Sequence, residues 1–248
     1  MRQFFILGLA ASALGSALQA QEATNSGIKL SELLPYQKAF TNLPAEKREN
    51  FIKHQRESSR LFSEKRIIET LEALKLAQKE FDRSPETWNL RGSCYVEMRA
   101  FEKALACYAK AAEITGNNPS IQFNIAEIYF VTHEWQKAHD ALEALLDKLP
   151  ENRPDLARIS EFKLMLCKLK IGEEQAAREL ADKYDFLDDS PYHYFAKAAL
   201  AFERDDVTEA QEWIARAVRI FRDPAILAPW RDTMVEYGHI KSFYGNNQ

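Results

Sequence analysis

PETWNLRGSCYVEMRAFEKALACYAKAAEITGNN, Pro85 to Asn118, lies without a gap over PSIQFNIAEIYFVTHEWQKAHDALEALLDKLPEN, Pro119 to Asn152, at an offset of 34 residues. With Pro85 and Pro119 as position 1, position 8 is Gly92 and Ala126, position 11 Tyr95 and Tyr129, and position 17 Phe101 and Trp135. Position 20 is Ala104 and Ala138, position 24 Tyr108 and Leu142, and position 27 Ala111 and Leu145. Small residues where two helices cross, with large apolar ones at helical spacing around them, describe a helical hairpin. A fixed period of roughly 20–50 residues marks stacked units, each burying its apolar face only against its neighbours.

The pattern continues in both directions. A third unit fits 157–190 after a four-residue insertion, with Ala176 and Leu180 at positions 20 and 24 but Leu164 and Cys167 at positions 8 and 11. A fourth, 191–224, carries Ala198, Val207, Ala210, Ile214 and Ala217. Backwards, 51–84 places Leu61, Ile67, Leu74 and Ala77 inside, with Ser58 and Thr70 at the small positions. Ser84-Pro85, Asn118-Pro119 and Ser190-Pro191 each set a capping side chain before a proline, and Asp206 to Glu209 has the form of a capping box. No stretch alternates apolar and polar residues as a strand does, so the expected class is all-α.

These residues resemble the tetratricopeptide repeat (TPR) family over about 51–224, most closely in the units that begin at Pro85, Pro119 and Pro191. The resemblance implies a right-handed helix–turn–helix solenoid of about five units, 51–84, 85–118, 119–152, 157–190 and 191–224; with no catalytic constellation in the sequence, no enzyme activity is expected. It also implies a concave groove lined by positions 2, 5, 9, 12 and 13 of each first helix. Carried over, the groove consists of Phe123, Glu127, Phe130, Val131, Glu161, Met165, Lys168, Leu169, Tyr192, Phe195 and Phe202, preceded by Gln55, Asn89, Phe62 and Val96. So many aromatic side chains on a face meant for water point to a segment of a partner protein, oriented by Glu127, Glu161 and Lys168. The protein's own segment Leu30–Phe40, its C-terminal helix, or a second copy would fill the same groove. Position 7, usually apolar in the family, is Arg91, Lys163 and Lys197 here; either those helices are rotated or the stems run along the interface with the charge in water.

The flanks carry other signals. Arg2, the apolar run Phe4–Leu14 and Ala17-Leu18-Gln19-Ala20 read as a secretory signal peptide, residues 1–20, cleaved near Ala20. The run is broken by Ser12, Gly15 and Ser16 before it could span a bilayer. Export to a bacterial periplasm or beyond is therefore expected, followed by an extension (21–50) with a short helix near Pro35. A capping helix and tail (225–248) close the chain, with Leu227, Trp230, Met234 and Val235 at helical spacing.

A formal net charge of −4, without a basic run, gives no footprint for nucleic acid or an anionic bilayer. Three cysteines, Cys94, Cys107 and Cys167, fall inside helices as packed thiols, a Cys94–Cys107 bridge or one intermolecular bridge being the alternatives. The five histidines form no metal-ligating pattern, and no phosphate loop or nucleophile elbow is present, so no cofactor or metal is expected. Three functions stay open: an exported interaction scaffold, a self-associating structural protein using the same surface, and a carbohydrate-binding module that stacks sugars on the aromatic face.

Overall fold

Hydrophobic patterning of this kind folds into helices and, among the described residues, into no strand. The computed structural model describes residues 33–116 and 118–240; the expected signal peptide, Leu30 and the tail Asn246–Gln248 lie outside them. Among the described residues twelve helices follow in order. They are α1 (Pro35–Thr41), α2 (Ala45–Ser63), α3 (Ile67–Glu80), α4 (Pro85–Glu97), α5 (Phe101–Thr115) and α6 (Pro119–Val131). The rest are α7 (Trp135–Leu146), α8 (Pro154–Ile171), α9 (Glu174–Ala181), α10 (Tyr192–Glu203), α11 (Val207–Ile220) and α12 (Pro224–Tyr237). The chain divides into two compact units, the first ending at Ile121 and the second beginning at Gln122.

The period is written into the backbone as well as the side chains. Lys65, Arg99, His133 and Asp205 stand in the left-handed region (φ 59°, 57°, 62° and 60°), each between the two helices of a hairpin. Gly172 (φ 87°) does the same between α8 and α9. At each turn the next amide reaches back to the helix, Arg66 N to Leu61 O and Ala100 N to Tyr95 O at 2.9 and 2.8 Å, the Schellman closure. Four of the five turns use a residue with a Cβ, at a strain of about 1 kcal/mol each.

Caps decide where helices begin. Ser84 Oγ accepts from Thr87 N at 3.2 Å and Asn118 Oδ1 from Ser120 N at 3.0 Å, both before a proline. Ser190 differs: Pro191 itself is the N-cap of α10, and Ser190 Oγ accepts from Tyr192 N at 3.3 Å. Asp206 caps α11 by accepting from Glu209 N at 2.9 Å. The capping box is only half formed, because the Glu209 carboxylate accepts from Arg204 and Trp213.

In the first unit, α1 folds Phe40 onto Phe51 and Phe81, the three rings meeting edge-on at 5.3–5.8 Å. Ser58 and Thr70 are tolerated at the small positions because each hydroxyl donates to its own helix, to His54 O and Arg66 O at 2.6 and 2.8 Å. Gly92 faces the Tyr108 ring; a Cβ there would lie 2.7 Å from Cδ1 and nearer still to Cε1. Tyr108 is fully buried and cannot swing away. Gly92→Ala is therefore expected to cost about 1–3 kcal/mol by overpacking, read as a lower urea midpoint with unchanged slope.

In the second unit the four-residue insertion lengthens a helix. α8 begins at Pro154, three residues ahead of the expected unit start, and runs 18 residues. Its partner α9 is only eight residues long, and 182–191 return without helix to α10. Arg158 holds that return, its Nε and Nη2 both donating to Asp188 Oδ2 at 3.1 and 2.9 Å.

The face of the first helices and its occupant

α6, α8 and α10 are the first helices of three successive hairpins, and within the second unit their shared face is covered by α12. Asp223 starts that helix by accepting from Ala225 N at 2.9 Å, Pro224 follows at the first helical position, and Gly238 (φ 101°) stops it. Leu227, Trp230, Met234 and Tyr237 are all buried, and their spacing puts them on one side. A simple cap would rest on the last hairpin alone. This one also reaches the first hairpin of the unit: Tyr237 packs on Phe130 and Trp135 at ring-centroid distances of 6.4 and 5.5 Å.

Trp230 occupies the aromatic centre of the face, with Phe162, Phe195 and Tyr192 at centroid distances of 5.4, 6.0 and 6.1 Å. Tyr237 Oη donates to Glu203 Oε1 at 3.0 Å while Lys170 Nζ lies 4.3 Å above its ring. Beyond the helix, His239 stacks on Phe202 at 5.1 Å. His133 Nε2 meets the Glu236 carbonyl at 3.0 Å, so the imidazole donates there and caps the end of α12.

Charge runs through the middle of this apolar seam. Lys163 Nζ donates to Glu127 Oε1 on α6 at 3.1 Å and to Glu236 Oε2 on α12 at 3.0 Å, and sits 4.2 Å above the Phe130 ring. Its side chain is 3% exposed and that of Glu236 7%. Burial works against the Lys163 ammonium, but Glu127 and Glu236 outweigh it and hold the group charged. One cation cannot neutralise two carboxylates, one buried and one half-buried. Burial raises Glu236 to about 8, against the pull of Lys163, so it keeps a proton at neutral pH. Asp232, half-buried nearby, is likewise raised by burial to about 6, and burial lowers His239 to about 4.

The structure sorts the residues expected to line an open groove. Phe123, Phe130, Met165, Tyr192 and Phe195 are buried in the core of the second unit, and Leu169 and Phe202 pack partly buried against it. Val131 is half-buried. Glu161 accepts from Lys183 at 2.6 Å, and Lys168 donates to Glu173 at 2.7 Å and meets His139 at 3.0 Å. Both thus serve contacts inside the unit, Glu161 to the return after α9 and Lys168 to α7 and the turn before α9. Of the three charged residues expected to orient a partner, only Glu127 joins the seam with α12.

Of the two accounts of position 7, stems with the charge in water fails for Lys163, whose ammonium is buried in a hydrogen-bonded cluster. Lys197 reaches Asp182 at 2.5 Å with its side chain 30% exposed. The signal for the cluster was in the sequence as that anomalous lysine; its partner Glu236, 73 residues on, was not.

Cys94, Cys107 and Cys167 are all free and buried. Desolvation pushes the thiols of Cys94 and Cys167 up to about 12, which makes them inert packing groups. Among the described residues no group of three or more His, Cys, Asp or Glu side chains is placed to hold a metal, and no helix is long and apolar enough to cross a membrane.

The sequence profile of the tetratricopeptide repeat matches residues 85–118. No curated protein matches the chain in sequence. Two solved structures share the fold. YrrB, described as a TPR protein with an unusual peptide-binding site, is 16% identical over 78% of this chain and 96% of its own, with a TM-score of 0.52. PilF of Pseudomonas aeruginosa is 15% identical over 92% of this chain and 99% of its own, with a TM-score of 0.53. With the period in its sequence, the left-handed turn between its hairpin helices and this shared fold, the chain is similar to tetratricopeptide repeat proteins and carries one matched repeat at 85–118.

Proposed function

We propose that this protein is an exported scaffold for protein–protein interaction, which holds a segment of a partner on the face of α6, α8 and α10 and serves assembly of an envelope complex. The observation that carries the reading is that this face already accommodates a helix, through aromatic packing on Trp230 and a buried hydrogen bond from Lys163 to Glu236. YrrB, a fold neighbour, is described as binding peptide. Export rests on the signal-like run before Ala20.

A photoreactive residue replacing Val131 or Phe202, at the half-buried rim, tests it. The expected result is a covalent adduct with another protein in living cells, and none from exposed Glu113 on α5. Adducts from Glu113 alone, or only adducts joining two copies of this chain, would overturn the reading. Protein recovered from the envelope should begin at Gln21; an intact Met1 would remove export.

A further inference from the structure

We propose that α12 is a displaceable ligand in cis, occupying the place of a partner helix with the same chemistry: apolar anchors in the pattern of Leu227, Trp230, Met234 and Tyr237, and a carboxylate at the place of Glu236. The inference rests on the reading above and adds both the partner's pattern and the reason the site is closed. Anchors at i, i+3, i+7 and i+10 are the signature of a helix laid in a groove. Here each is buried against helices that are complete hairpins without it.

The seam is not built like a permanent core. Asp232 Oδ2 is buried without a hydrogen bond, and His239 Nε2, also without one, stops 3.5 Å from Glu203 Oε1. Glu127 and Glu236 share one ammonium. Such groups oppose burial, whereas apolar residues of the same size would hold the helix more firmly. Pro229 lies inside α12 and lacks the amide for one internal bond, which weakens the helix once it is free. Only residues 221–223 connect α12 to α11, so a released helix stays at high local concentration and rebinds. A partner helix must outcompete that tether, and a carboxylate aimed at Lys163 would select it.

The probe is a fluorescent peptide of residues 224–240, added to the full chain and to full-length Trp230→Ala/Tyr237→Ala, whose own helix has lost two anchors. The variant should bind the peptide at least tenfold more tightly than wild type does, and a Glu236→Lys peptide at least tenfold more weakly than the native peptide. A variant that keeps its helicity yet binds no peptide overturns the proposal. Hydrogen exchange on the unaltered chain decides the matter if the variant does not fold. There, α12 amides should exchange at least tenfold faster than those in the middle of α8 and α10, while equal rates overturn the proposal. A wild-type dimer with α12 seated on the second copy would also overturn it. None of these measurements needs an external client, so a failed search for adducts at Val131 and Phe202 would leave them standing.

Discussion

Trp230→Ala is expected to release α12 while leaving the hairpins of the second unit folded. The indole fills a pocket of Phe162, Tyr192 and Phe195, and truncating a buried tryptophan costs about 3–5 kcal/mol. If α12 docks as its own element, the loss to the rest of the unit stops at the docking free energy, because a helix already released loses nothing more. The open population then rises at least a hundredfold, each tenfold being about 1.4 kcal/mol. Limited trypsin digestion reads this directly, as fast cleavage after Arg222 and Arg231 with the helices before them resistant. Simultaneous digestion of α8 and α10 would instead make α12 part of one cooperative core.

Lys163→Met should cost a similar amount by a different route. The methionine fills the volume but leaves Glu127 and Glu236 facing each other without their cation, and breaking a buried pair in this way costs about 3–5 kcal/mol. Adding Glu236→Leu removes one of the two carboxyl groups left without a donor, so the double variant should recover part of the loss. Urea denaturation of the two singles and the double measures the coupling. A single substitution costing under about 1 kcal/mol would show that the ammonium is not buried.

The same cluster gives α12 docking a pH dependence. Asp232 and Glu236 are raised in the docked state, so their contribution is full below the ordinary carboxylate range. It is lost as pH rises through about 6 and about 8. His239 is lowered, so its contribution is full above the ordinary imidazole range and is lost as pH falls toward about 4. The facing groups are Lys163 and Lys170 on α8, Glu127 on α6 and Glu203 on α10. Between pH 6.5 and 8 only the carboxylate effect operates, so docking should weaken. Exchange rates of α12 amides, corrected for intrinsic pH dependence, measure it; flat or opposite behaviour contradicts the assignment.

The repeat, the helices and two of the proline-preceding caps were legible because they depend on neighbours within one 34-residue period. Small residues at Gly92 and Ala126 require a close crossing wherever the hairpin sits. The left-handed turns were less visible, since Lys65, Arg99, His133 and Asp205 do not advertise positive φ as glycine does. The aromatic face was found, but whether it meets water could not be read from it. Its cover is α12, whose apolar spacing is equally that of a terminal cap. Lys163 stood out as a charge at an apolar position, but periodicity carries no information about a partner 73 residues away.

The most direct test of that cover is a nuclear Overhauser spectrum of the wild-type chain with the Trp230 indole and the Phe162 and Phe195 rings selectively labelled. Cross-peaks between the indole and both rings are expected, at the centroid distances of 5.4 and 6.0 Å. An indole with solvent-like shifts and no contact to either ring would contradict a face closed by its own C-terminal helix.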